Sequence, residues 1–86
     1  PVSPVSVNEQ LLAKIEVLPT LSLDGKVTIK LPENLQLRSI RVWNSSGRQV
    51  WNRPALNLQL PEQAGVYFIE IQTSRGRVVR RVVRGA

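Results

Sequence analysis

The chain has 86 residues, with 12 lysines and arginines against six acidic side chains, a net charge of +6, and neither cysteine nor histidine. That length makes one small domain with a thin core, and the missing residue types exclude a disulfide framework, the usual zinc, haem and iron–sulfur ligands, and every Ser-His or Cys-His nucleophile pair. No run of about 20 apolar residues offers a membrane span and no charged-then-apolar leader opens the chain, so the composition points to a non-enzymatic module that needs no metal or cofactor.

Residues 1–13 read as a linker to a preceding domain, because two prolines and two serines fall in the first six positions and favour an extended, solvated chain. Ser6 and Glu9 have capping-box spacing, so Val7 to Ala13 hold the alternative of a helical turn or two. Residues 14–86 form the domain. Short strands separated by turn residues about every ten positions predict an all-β fold. Lys14 to Leu18 is the first strand, closed by Pro19. Lys26 to Leu31 alternates, with Val27, Ile29 and Leu31 on a core face and Lys26, Thr28 and Lys30 toward water.

Ile40 to Trp43 and Gln49 to Trp51 flank Asn44-Ser45-Ser46-Gly47, a hairpin turn whose glycine suits a left-handed conformation. Trp43 and Trp51 then stand near-opposite each other, as a cross-strand pair, as cover for an edge of the thin core, or as a stacking platform for a sugar. Leu56, Leu58 and Leu60 give a fifth strand, and Val66 to Thr73 a sixth, with Tyr67, Ile69 and Ile71 on one face and Val66 and Phe68 on the other. Arg77 to Arg84 is the seventh, returned by the turn Ser74-Arg75-Gly76. Seven strands without a convincing helix predict an immunoglobulin-like antiparallel β-sandwich.

Charge is concentrated at the end. From Ser74 to Ala86 there are five arginines and no acid, against seven basic and six acidic residues before it. Val78, Val79, Val82 and Val83 would line one side of a helix, but valine favours a strand, and the turn delivers the segment back beside Val66 to Thr73. Strict alternation mixes valine and arginine on both faces, which a bulge near Arg80-Arg81 would relieve. As an outer strand its arginines discourage aggregation, and loss of Val82 to Ala86 is expected to leave most of the sandwich folded. The arginines suit phosphates, yet no recognition helix or stacking ring accompanies them, so nucleic acid is not an expected partner.

The ordered set Val27-Thr28-Ile29-Lys30-Leu31-Pro32, Ile40 to Val50 with Gly47-Arg48 at its turn, Leu56-Asn57-Leu58, Gly65-Val66-Tyr67-Phe68-Ile69 and Gly76-Arg77-Val78-Val79 with a basic end resembles the C-terminal sorting domain of type IX secretion substrates in Bacteroidetes-type bacteria. Where many members carry Tyr-Pro-Asn-Pro after the first strand, this chain has Val17-Leu18-Pro19-Thr20. The resemblance implies export through the periplasm to the cell surface or outer membrane, and partners in the type IX translocon and its outer-membrane shuttle. It also implies a sortase-like cysteine peptidase that removes the domain on attachment to anionic lipopolysaccharide. Carried over, the sorting signal is Gly65, Val66, Tyr67, Phe68, Gly76, Arg77, Val78, Val79, Arg80, Arg81, Val82, Val83 and Arg84. The alternatives are a surface-binding module, adhesin-like or carbohydrate-binding through Trp43 and Trp51, and a retained sorting domain of a surface component of the secretion system.

Overall fold

A computed structural model describes residues 12–85. In chain order the strands are β1 (Glu16–Leu18), β2 (Leu21–Ser22), β3 (Lys26–Lys30), β4 (Leu37–Asn44), β5 (Gln49–Asn52), β6 (Asn57–Gln59), β7 (Gly65–Thr73) and β8 (Gly76–Arg84). All seven expected strands are present and β2 is added to them. The expected linker lies outside the described residues except for Leu12 and Ala13, which belong to a helical turn closed by the Ile15 N–H on the Leu12 carbonyl at 3.2 Å.

Three strands form one sheet in the order β1-β3-β6, and five form the other in the order β2-β8-β7-β4-β5. The chain crosses between sheets five times before closing on the β7–β8 hairpin, so both sheets build one shared core. β3 supplies Val27 and Ile29 inward, with Lys26, Thr28 and Lys30 outward, as its alternation requires. From the larger sheet come Ile40 and Val42, Tyr67, Ile69 and Ile71, and Val82, joined by Ile15, Val17, Leu35, Leu58 and Leu60. Each fully buried aliphatic side chain contributes about 1.5–3 kcal/mol relative to exposure. Leu31, past the end of β3, is only partly buried against this core.

Three expectations are corrected. No bulge interrupts β8: its pairing with β7 runs unbroken from Gly65↔Arg84 to Thr73↔Gly76. The irregularities lie in β4 instead, between Leu37 and Ser39 on its β7 side and between Val42 and Trp43 on its β5 side. Strict alternation therefore holds in β8, putting Val78, Arg80, Val82 and Arg84 inward and Arg77, Val79, Arg81 and Val83 outward. Inward arginines are tolerated because their head groups reach backbone carbonyls, Arg80 Nη2 donating to Leu12 O at 3.4 Å and Arg84 Nη1 to Leu23 O at 2.5 Å.

β8 is also not wholly an outer strand, since β2 lies parallel to its last residues with Leu21↔Val83 and Ser22↔Arg84. Finally, Trp43 and Trp51 do not oppose each other. The irregularity in β4–β5 sets Val42 opposite Trp51 and Trp43 opposite Gln49, and a one-residue slip reverses the faces. Trp51 joins Val50 against the core, while Trp43 stands on the outer face beside Phe68.

The β4–β5 turn is built by Asn44, whose Oδ1 accepts from the backbone N–H of Ser46 at 3.1 Å and of Arg48 at 2.9 Å, with Gly47 at φ +85°. Gly65 opens β7 at φ +148°, and a Cβ built there meets nothing within 4 Å. Space is thus no obstacle at Gly65; backbone conformation is. Gly65→Ala should lower stability by about 1–3 kcal/mol, read as a fall in melting temperature. D-alanine at the same position, placed by chemical synthesis, should restore it; equal losses from both enantiomers would rule out conformation as the cause.

Candidate functional site

All thirteen residues of the expected signal lie on the β7–β8 hairpin, and its register makes the two halves of the motif each other's partners. Gly65, Val66, Tyr67 and Phe68 stand opposite Arg84, Val83, Val82 and Arg81. Gly76, Arg77, Val78 and Val79 sit at the other end, opposite Thr73, Gln72, Ile71 and Glu70. The tight turn between the strands is held by Thr73, whose Oγ1 donates to the Gly76 carbonyl at 2.8 Å and accepts the Arg75 N–H at 3.2 Å.

The inward half of this set is scaffold. Tyr67 and Val82 are buried partners, and the Tyr67 hydroxyl donates to the Gln63 carbonyl at 2.7 Å. That bond ties the start of β7 to the loop before it, the tyrosine-corner arrangement of immunoglobulin-like sandwiches. At the far end Arg84 Nη1 also donates to the Gly85 carbonyl, while the Val83 N–H reaches Thr20 O at 2.8 Å and the Gly85 N–H reaches Ser22 O at 2.9 Å. The last residues of β8 are thereby fastened to β2 and the loop after it.

That loop carries a polar knot. Ser22 is buried, with its hydroxyl 3.0 Å from the Lys26 carbonyl and 3.2 Å from Asp24 Oδ1. The Lys26 N–H donates to Asp24 Oδ1 at 2.9 Å and holds that carboxyl below its ordinary pKa, with the Ser22 hydroxyl adding to the effect. A lowered folded-state value means the contribution is complete above the unfolded Asp value near 4 and is lost as pH falls through the folded one. Asp24→Asn should therefore melt below the wild type from neutral pH down to about 4, with the gap closing under more acidic conditions. A gap independent of pH would remove the carboxylate from the account.

The outward half forms a face. Across the five-stranded sheet run the rows Leu21–Val83–Val66, Arg81–Phe68–Trp43, Val79–Glu70–Arg41 and Arg77–Gln72–Ser39. Phe68 and Val79 are exposed by 39% and 51%, and Leu21 by 55%, so an apolar stripe lies between arginines. Glu70 is the exception in charge; it is mostly buried, and its carboxylate pairs with Arg77 Nη1 at 3.6 Å, the one ion pair among the described residues. Sequence reasoning found the hairpin but missed Leu21, Arg41 and Trp43 as its neighbours. A two-residue strand carries no alternation signal, and the face of Trp43 depends on the β4 irregularity.

The cleft between the Asn44-to-Ser46 turn and the Gln63-to-Val66 segment holds about 40 Å³, enough for a water, and open grooves of about 340 Å³ beside Val27, Trp51 and Leu58 and about 390 Å³ beside Arg48, Val50 and Pro61 lie off the outward face of the hairpin. The outward side of the hairpin thus combines an apolar stripe, flanking arginines and an anchored end. In comparison with known proteins, the family described as the secretion system C-terminal sorting domain matches residues 23–84. No curated protein matches the chain.

Proposed function

Because the chain belongs to the family of secretion system C-terminal sorting domains, a type IX secretion signal that directs export toward the cell surface, we propose that the machinery reads it through the outward face of the β7–β8 hairpin. The observation that carries this reading is the register that sets Gly65-Val66-Tyr67-Phe68 against Arg81-Val82-Val83-Arg84. Two motifs separated in sequence become one patch. Inward residues of the signal set hold the fold, while Val66, Phe68, Arg77, Val79, Arg81 and Val83 present the surface a partner meets.

In this account the domain crosses the periplasm folded, is bound by the translocon and its outer-membrane shuttle, and is removed by a sortase-like cysteine peptidase that joins the cargo to anionic lipopolysaccharide. Its work is recognition rather than catalysis. The outward arginines steer the encounter and the apolar stripe supplies the contact, since exposed charges are screened and set on-rate more than affinity.

The carbohydrate-binding alternative loses its platform. Trp43 and Trp51 face opposite sides of the sheet. The Trp51 indole N–H donates to the Arg53 carbonyl at 3.2 Å, and the Arg53 guanidinium lies 5.5 Å from the ring centroid, so one ring face is already taken. The discriminating experiment is the double variant Phe68→Ser, Arg81→Gln. It should melt close to the wild type and deliver a fused reporter to the surface several-fold less well; undiminished delivery would show that this face is not read.

A further inference from the structure

In an antiparallel pair, alternate residues turn both backbone groups toward the neighbouring strand and the others turn both away. Thr73↔Gly76 closes the hairpin turn, so Gly76, Val78, Arg80, Val82 and Arg84 bond to β7 while Arg77, Val79, Arg81 and Val83 point to the opposite edge. The lower end of β8 agrees, since the Val83 and Gly85 N–H groups reach Thr20 and Ser22 in and beside β2. β2 is only two residues long and is in register with Val83 and Arg84 alone. Above it, among the described residues, no strand pairs with Arg77, Val79 or Arg81, and the one bond to their carbonyls is a 3.4 Å contact from Arg80 Nη1 to Val79 O.

The same three residues send their side chains to the outer face, two exposed arginines on either side of a half-exposed valine. Glu70, beside Val79, already pairs with Arg77, and Arg81 has no acidic partner among the described residues. An edge of this kind rejects its own copy, because antiparallel pairing of two such edges centred on Val79 sets Arg77 against Arg81. It accepts the opposite charge. Resting on the sorting reading above, we propose that the secretion partner adds an extended strand to this edge, with acidic side chains opposite Arg77 and Arg81 and an apolar one opposite Val79.

Val79→Pro tests this position by position, since it deletes an N–H aimed at the open edge while leaving the β7 ladder intact, and proline is tolerated on edge strands. A reporter fused ahead of the 86 residues is scored for surface delivery in a type IX secreting host, with the melting temperature of each purified chain measured alongside. Val79→Ala, which keeps the N–H and gives up only side-chain contact, should lose clearly less delivery than Val79→Pro; equal losses from the two would overturn the edge. Val79→Pro should stay folded and deliver about tenfold less or worse, the scale of one lost backbone hydrogen bond to a partner.

Full delivery by folded Val79→Pro overturns the edge and leaves sorting in place, whereas a wild-type fusion that is not delivered overturns both. If Val79→Pro melts early, Arg81→Glu is compared with Arg75→Glu, an exposed turn arginine off the edge. Arg81→Glu should lose several-fold more delivery, and equal losses overturn the proposal. A dimer in sedimentation that Arg81→Glu alters while delivery is unaffected would assign the edge to a second copy and likewise overturn it.

Discussion

Deleting Val82 to Ala86 should abolish the cooperative unfolding transition, leaving a chain without a stable sandwich. Val82 is fully buried and stands opposite Tyr67 in the core. Its burial alone is worth about 1.5–3 kcal/mol. The deletion also removes the partners of Gly65 and Val66, the strand on which β2 is laid, and the Arg84 contact to Leu23. Together these take away a large part of the total stability of about 5–15 kcal/mol that a small domain has. This reverses the expectation from sequence, which counted the lost segment as half a strand and one arginine. Thermal melts followed by circular dichroism decide it: a sharp transition near the wild-type temperature would show that the end of β8 is dispensable. If the fold is lost as expected, failed export of a truncated domain says nothing about recognition, and outward single substitutions are the proper probe.

Tyr67→Ala should cost about 3–5 kcal/mol, the usual range for truncating a packed aromatic side chain. The ring lies at 2% exposure among the core residues and its hydroxyl satisfies the Gln63 carbonyl. Tyr67→Phe separates the two parts, keeping the packing and leaving a carbonyl short of one bond, for a loss of about 1–2 kcal/mol. Chemical denaturation of the two variants gives both numbers. A Tyr67→Ala protein as stable as the wild type but not exported would move Tyr67 from scaffold to direct recognition. A Tyr67→Phe loss as large as that of alanine would make the corner bond, rather than the ring, the dominant contribution.

The sandwich was legible where alternation was long and clean. β3 and β7 declare their inner faces in Val27-Thr28-Ile29 and in Tyr67-Phe68-Ile69, and the structure buries the residues that those patterns select. Legibility failed where tertiary contacts decide. β8 mixes valine and arginine on each face, and sequence alone gives no reason to leave Arg80 and Arg84 inward. The reason is the carbonyls of Leu12 and Leu23, which only the folded chain brings within reach. β2 is too short to carry a period, and its parallel place beside Val83 follows from the route of the chain after Pro19. The tryptophans failed for a different cause, since the Val42/Trp43 irregularity shifts the β4–β5 register and turns the two rings to opposite faces.

The residues of the expected signal all fall on one hairpin, and about half of them face the core, so the set is at least in part a folding motif. Gly65, Tyr67 and Val82 shape the hairpin; Phe68, Arg77, Val79 and Arg81 are what it displays. The distinction rests on register and exposure, neither of which the motif spells out.

The most direct test of the central claim is surface delivery of a reporter fused ahead of these 86 residues, scored in a type IX secreting host and in the same host with its translocon disabled. The account predicts reporter on the surface of the first and retained inside the second, with the reporter alone retained in both. Surface delivery that persists without the translocon, or a fusion retained in the intact host although its domain is folded, would contradict it.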